Sequence, residues 1–96
     1  MGDLCHEIGK FGKGIGNASR YRIVEALFRG PKTVGELVKI TKLSQPAVSQ
    51  HLKTLKSCSL VEDERRGQEV LYTLDAAHTV RLLKSLTDEV QKYKRK

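Results

Sequence analysis

Leu43-Ser44-Gln45-Pro46-Ala47-Val48-Ser49-Gln50-His51-Leu52-Lys53-Thr54-Leu55 reads as one helix with two unlike sides. Ser44 is a good N-cap, because its hydroxyl can accept from the orphan amides of the first turn. Pro46 falls in that first turn, where a missing N–H costs little. Val48, Leu52 and Leu55 then recur at i, i+4 and i+7, which is one helical face. The other side carries Gln45, Ser49, Lys53 and Lys56, with Pro46 and Gln50 beside them. An ordinary surface helix mixes Glu with Lys on its wet side, yet no acid occurs from Leu43 to Val61. Gln, Ser and Lys donate to base edges and phosphates, and an acid would repel phosphate. The pattern fits a recognition helix for double-stranded DNA, lying in the major groove.

The totals are compatible with that partner. The chain has 96 residues and a net charge of +7, from 18 Lys and Arg against 11 Asp and Glu. Such an excess favours a polyanion. The absence of Trp and the scarcity of other aromatics argue against a base-stacking platform for single strands. The length predicts one domain, residues 1–96, with a modest core that dimerisation would supplement. No apolar run approaches a membrane span, and the N-terminus lacks the apolar stretch of a signal peptide. With two distant cysteines there is no disulfide scaffold, so a reducing cytoplasm is expected.

On the N-terminal side of the quoted helix, Thr33-Val34-Gly35-Glu36 forms a capping box for a short helix. Its buried side is expected to hold Leu37, Val38 and Ile40. Thr41-Lys42-Leu43 leaves room only for a turn, so the two helices form a helix-turn-helix. Further upstream, Asn17 caps a helix over Ser19 to Arg29 that turns Ile23, Val24, Leu27 and Phe28 inward, and Gly30-Pro31 ends it. A first helix runs from Asp3 to about Lys13 with Leu4, Ile8, Phe11 and Ile15 on one face. Beside that face, Cys5, Gly9, Gly12 and Gly16 form a small-residue stripe, which predicts close approach of a partner helix to offset the glycines' cost.

On the C-terminal side the hydrophobic period changes after Cys58-Ser59. Leu60 to Arg65 and Glu69 to Leu74 read as two strands, and Gly67 supplies the positive φ of a hairpin turn. A basic hairpin after a helix-turn-helix is a wing, with Arg65, Arg66 and Gln68 placed to reach the DNA backbone or minor groove. Glu62, Asp63 and Glu64 are then expected to face away from phosphate. Asp75 caps a last helix on which Ala76, Thr79, Leu83, Leu86, Val90 and Tyr93 alternate by three and four, as a helix-pairing seam does. The chain ends on Lys92-Tyr93-Lys94-Arg95-Lys96, expected to be a solvated tail. The fold class is therefore mainly α with a small β-hairpin: a winged helix-turn-helix of about five helices, dimerising through the first and last.

Ser19-Arg20-Tyr21-Arg22-Ile23-Val24, Val34-Gly35-Glu36-Leu37, the block from Leu43 to Leu55, Leu60-Val61 and the Arg66-Gly67 turn together resemble the ArsR-type (ArsR/SmtB) repressors from roughly Asn17 to Leu74. The specific part is Leu-Ser-Gln-x-x-Val-Ser-x-His-Leu. The resemblance implies a homodimer whose two recognition helices enter successive major grooves of an imperfect inverted repeat, with an inducer that releases the DNA. It implies DNA contacts from Gln45, Pro46, Ser49, Gln50 and Lys53, with Ser44 at the cap and Arg65, Arg66 and Gln68 on the wing. His51 falls on the inner flank and is read as packing. Metal-sensing members carry Cys-x-Cys near the helix before the recognition helix. The matching Glu36-Leu37-Val38-Lys39-Ile40 has no thiol. Others use Asp-x-His, whereas Asp75-Ala76-Ala77-His78 has one residue too many. Transition metals need three or four converging donors, so no metal site and no cofactor are expected, and Cys5-His6-Glu7 is read as incidental. Any thiol signal would fall to Cys5 or Cys58, which otherwise read as small packing residues.

Two other function classes compete with a repressor. A winged-helix protein-interaction module that does not bind DNA should expose an apolar patch on the recognition helix, where this chain shows Gln, Ser and Lys. An enzyme is not expected, because there is no Gly-rich phosphate loop, nucleophile–base pair or paired-carboxylate pocket.

Overall fold

The computed structural model describes residues 3–94. The order is α1 (Leu4–Ile15), α2 (Ala18–Leu27), α3 (Val34–Thr41), α4 (Gln45–Ser57), β1 (Val61–Arg66), β2 (Glu69–Leu74) and α5 (Ala76–Lys94). The starts obey the capping rules. The Asp3 carboxylate accepts from His6 N, the Asn17 side chain from Arg20 N at 3.0 Å, and Asp75 from His78 N at 3.0 Å. At α3 both arms of the capping box close: Glu36 N donates to Thr33 Oγ1 at 3.2 Å, and Thr33 N to the Glu36 carboxylate at 2.9 Å. Each cap satisfies amides that otherwise have no partner in the first turn.

The core sits where α2, α3 and α4 meet the base of the hairpin. Ile23, Leu37, Val48, Leu52, Leu55 and Leu60 are sealed from solvent there, and Val24, Leu27, Cys58 and Val61 complete the cluster. Removing one such Leu would cost about 2–5 kcal/mol. Two residues expected inside are not. Phe28 is 58% exposed and Ile40 51%. Phe28, the C-cap of α2, keeps helical φ/ψ and so projects about 100° round the helix from the buried Leu27 before it. On α3 the inward pair is Leu37 and Thr41, one turn apart, which rotates Ile40 outward. Thr41 is buried without penalty because its hydroxyl donates to Leu37 O at 2.7 Å and accepts from Leu43 N at 3.3 Å.

Two arginines of α2 clamp the ends of neighbouring helices. Arg20 donates to the carbonyls of Gly14 (2.9 Å) and Lys13 (2.8 Å), and Arg22 to that of Thr41 (3.3 Å). These carbonyls lie in last turns, where partners are missing and the helix dipole favours a cation. The monomer itself has no room for a Cβ at Gly16, on the predicted stripe, where it would meet the Gly12 carbonyl oxygen at 2.6 Å, or at Gly14, which lies off that stripe. At Gly14 it would run into the Leu60 side chain. At Gly9 and Gly12, by contrast, a Cβ would meet nothing in this chain.

Candidate nucleic-acid interface

The recognition helix α4 begins with Ser44 Oγ accepting from Ala47 N at 3.2 Å, with Pro46 in the first turn. It is joined to α3 by a turn at Lys42, whose φ of 63° closes the helix through Lys42 N to Val38 O at 2.9 Å. A left-handed non-glycine residue costs about 1–2 kcal/mol, so this tight turn is held by its surroundings. Val48, Leu52 and Leu55 lock the inner face of α4 into the core. As a result Ser44, Gln45, Pro46, Ser49, Gln50 and Lys53 all stand exposed on one side. No large exposed apolar side chain lies on α4. His51 is half-buried on the flank, where burial first and the Arg20 charge second hold its pKa below the ordinary value of 6.5. That environment fits the packing role expected of it.

The hairpin is antiparallel, with Asp63 opposite Tyr72, Glu64 opposite Leu71, Arg65 opposite Val70 and Arg66 opposite Glu69. It is held on its other edge as well. Lys32 N donates to Tyr72 O at 3.0 Å and Tyr72 N to Lys32 O at 2.8 Å, a two-bond bridge to the segment before α3 that the sequence pattern did not reveal. Gly67 has φ 62° at the tip, as a hairpin turn requires. Arg65, Arg66 and Gln68 are exposed around it. Strand alternation puts Val61, Asp63 and Arg65 on one face and Glu62, Glu64 and Arg66 on the other. The acids are thus split. Asp63 is neutralised by Lys56 of α4 at 3.0 Å. Arg66 is surrounded by acid, with Glu64 at 3.4 Å and Glu69 opposite it across the strands.

The terminal helices leave an apolar face uncovered. Of the 19 residues of α5 only Leu82 is buried, while Val80, Leu83, Leu86 and Val90 are all exposed. α5 rests on α1, where His78 Nε2 lies 3.7 Å from Glu7 Oε1. Cys5 is exposed on α1 and Cys58 is buried in the core, both as free thiols. Among the described residues, no three of His, Cys, Asp or Glu converge as a metal site would require, and Glu7 of the N-terminal trio is turned to His78 instead. Arg95 and Lys96 lie outside the described residues. No described helix is long and apolar enough to cross a membrane.

A family model described as "Bacterial regulatory protein, arsR family" matches residues 17–63, from the cap of α2 through the recognition helix into β1. The chain is 33% identical over 89 residues to the "Transcriptional repressor SmtB homolog" of Synechocystis sp., a match covering 93% of this chain and 67% of that one. The chain belongs to the ArsR family. This ArsR-family chain is also 48% identical over 61 residues to the "HTH-type transcriptional regulator Rv2034" of Mycobacterium tuberculosis, covering 64% of this chain and 57% of that protein. Among solved structures it superposes on the homodimeric winged helix-turn-helix DNA-binding domain of Mb0332 from Mycobacterium bovis. The TM-score is 0.72 at 28% identity, over 94% of this chain and 86% of that one. Five helices with an antiparallel hairpin are thus the winged helix-turn-helix of ArsR regulators. These relatives are transcriptional regulators and repressors, not enzymes.

Proposed function

We propose that residues 1–96 work as a single winged-helix DNA-binding domain. In this reading the protein is a homodimeric, sequence-specific repressor in the cytoplasm, released from an inverted-repeat operator by an inducer. The observation that carries the reading is the outer side of α4. It is fully exposed, acid-free and without a large apolar side chain, on a helix whose other side is sealed into the core. An interaction module would present an apolar patch there. Gln45, Ser49 and Gln50 read base edges, Pro46 lies against the groove, and Ser44 and Lys53 reach phosphate. On the wing, Arg65 carries the main phosphate contact, because Arg66 is opposed by Glu64 and Glu69. Gln68 supports it from the tip.

The dimer forms through α1 and α5. Val80, Leu83 and Val90 supply the apolar face, and the open surface at Gly9 and Gly12 admits the partner's helix. Two-fold symmetry then sets two copies of α4 about one helical turn of DNA apart. Sedimentation at micromolar concentration together with duplex titration over a salt series tests this. The expected result is a dimer whose affinity falls by about 10³-fold or more between roughly 50 and 200 mM salt, as counterions are released. A stable monomer, or binding indifferent to salt, contradicts it.

A further inference from the structure

The two apolar side chains that leave the core, Phe28 and Ile40, share a groove of about 540 Å³ between α2 and α3. They lie neither on the acid-free side of α4 nor on the α1–α5 face, so DNA binding and dimerisation leave them unused. The volume is in the range of small-molecule sites, about 300–1,000 Å³. Arg22, Arg29 and Lys32 line the same groove against one carboxylate, Glu25. Arg29 has no hydrogen bond or ion pair among the described residues, and Arg22 makes only the long 3.3 Å bond to Thr41 O. An apolar floor under an excess of guanidinium and ammonium groups matches an apolar body that ends in an anion. The phosphates of DNA have no use for the floor, and a neutral apolar ligand has none for the rim.

We propose that this groove binds a small amphipathic carboxylate, and that its occupation weakens DNA binding by α4. The proposal deepens the repressor reading by naming the chemical class of an effector and its site. A carboxylate takes Arg guanidinium in a two-bond fork, and a fork through Arg22 Nη1, the atom that now holds Thr41 O, replaces that 3.3 Å bond. Thr41 is the joint of the helix-turn-helix: its hydroxyl holds Leu37 O on α3 and Leu43 N in the turn before α4. Loss of the Arg22 clamp therefore frees the end of α3 beside the turn that aims the recognition helix. A ligand shifts an equilibrium only by its differential affinity for the two states, and the exchange of Arg22 between Thr41 and the carboxylate supplies that difference. By linkage, DNA must weaken carboxylate binding by the same factor.

The probe is decanoate, with decyltrimethylammonium as a cation of equal chain length, titrated into the ¹⁵N-labelled full chain without DNA. The expected result is amide shifts centred on Ala26, Phe28, Ile40 and Thr41, with decanoate at least about tenfold tighter than the cation. Phe28→Ala and Arg29→Gln, both at exposed positions, should each weaken decanoate about fivefold or more and leave the rest of the spectrum unchanged. Equal affinity for the two amphiphiles, shifts centred on Val80 and Val90 of α5, or no saturation at millimolar concentration overturns the site. In a second arm, decanoate at saturation should weaken duplex binding by wild type at least about threefold and leave Arg29→Gln unaffected. Occupation of the groove with duplex affinity unchanged overturns the regulatory claim. If wild type binds decanoate but no duplex, the repressor reading falls and the site stands, because the first arm contains no DNA.

Discussion

The recognition helix and the wing are both basic, exposed and firmly tied to the core, but their charges are organised in opposite ways. From Leu43 to Val61 there is no acid, and of the two lysines on α4 Lys53 presents an unshared charge while Lys56, at the end, is paired with Asp63. On the hairpin the acids are taken up unevenly: Glu64 at 3.4 Å and Glu69 across the strands engage Arg66, Asp63 is paired with Lys56 of α4 at 3.0 Å, and Arg65 has no ion pair among the described residues. Surface pairs of this kind contribute little to stability, about 0–1 kcal/mol. Their consequence is for binding: a paired arginine must be released before it can serve a phosphate. If α4 and the wing bind DNA as proposed, the difference assigns most of the affinity to α4 and a trimming role to the wing.

Four variants test that contrast. The largest effect is expected from Ser49→Glu, which puts an acid in the middle of the acid-free face. Lost readout plus like-charge repulsion should cost about 2–4 kcal/mol of duplex affinity, with no change in Tm because Ser49 is exposed. A loss under threefold in a duplex titration would remove α4 from the interface. Arg65→Ala should cost about 1 kcal/mol on every sequence and lower the salt slope by about one. Arg66→Ala should cost less than half as much, and Glu64→Gln should tighten binding by releasing Arg66. A larger loss for Arg66 than for Arg65 would reverse the assignment of wing faces.

The smallest effect concerns the inner flank of α4. The pKa of His51 is held below 6.5 in the fold, by burial and then by Arg20. As pH falls through 6.5 the unfolded chain takes up the proton first, so the fold loses stability from that point down to the folded pKa. Above 6.5 that contribution is fully present. Tm measured between about pH 7.5 and pH 5.5 should therefore decline slightly more in wild type than in His51→Gln. Identical slopes would show that His51 does not feel its surroundings.

The residues that sequence made legible are those whose roles are local. Ser44, Thr33 and Glu36 reach amides within three positions, and the period of Val48, Leu52 and Leu55 fixes a helix face without reference to any other element. The residues that escaped it act across the chain. Arg20 and Arg22 look like ordinary surface cations until the helix ends they clamp are brought beside them. Gly14 is one of several glycines in α1, and the constraint on it comes from the approach of Leu60 across the chain. Thr41, read as part of the turn, ends α3 and takes the inward place expected of Ile40, because its hydroxyl finds two partners, which hydropathy does not register. For the same reason the acid–base alternation of β1 shows where charges lie, but the cross-strand register is needed to show that Arg66, and not Arg65, meets Glu69.

Whether two copies of α4 read DNA as a symmetric pair is decided by selection from a random duplex library followed by sequencing of the bound fraction. The expected product is an imperfect inverted repeat whose half-site centres are about 10 bp apart, one turn of the double helix. Recovery of no enriched sequence, or of a single half-site without its inverted mate, would contradict that pairing.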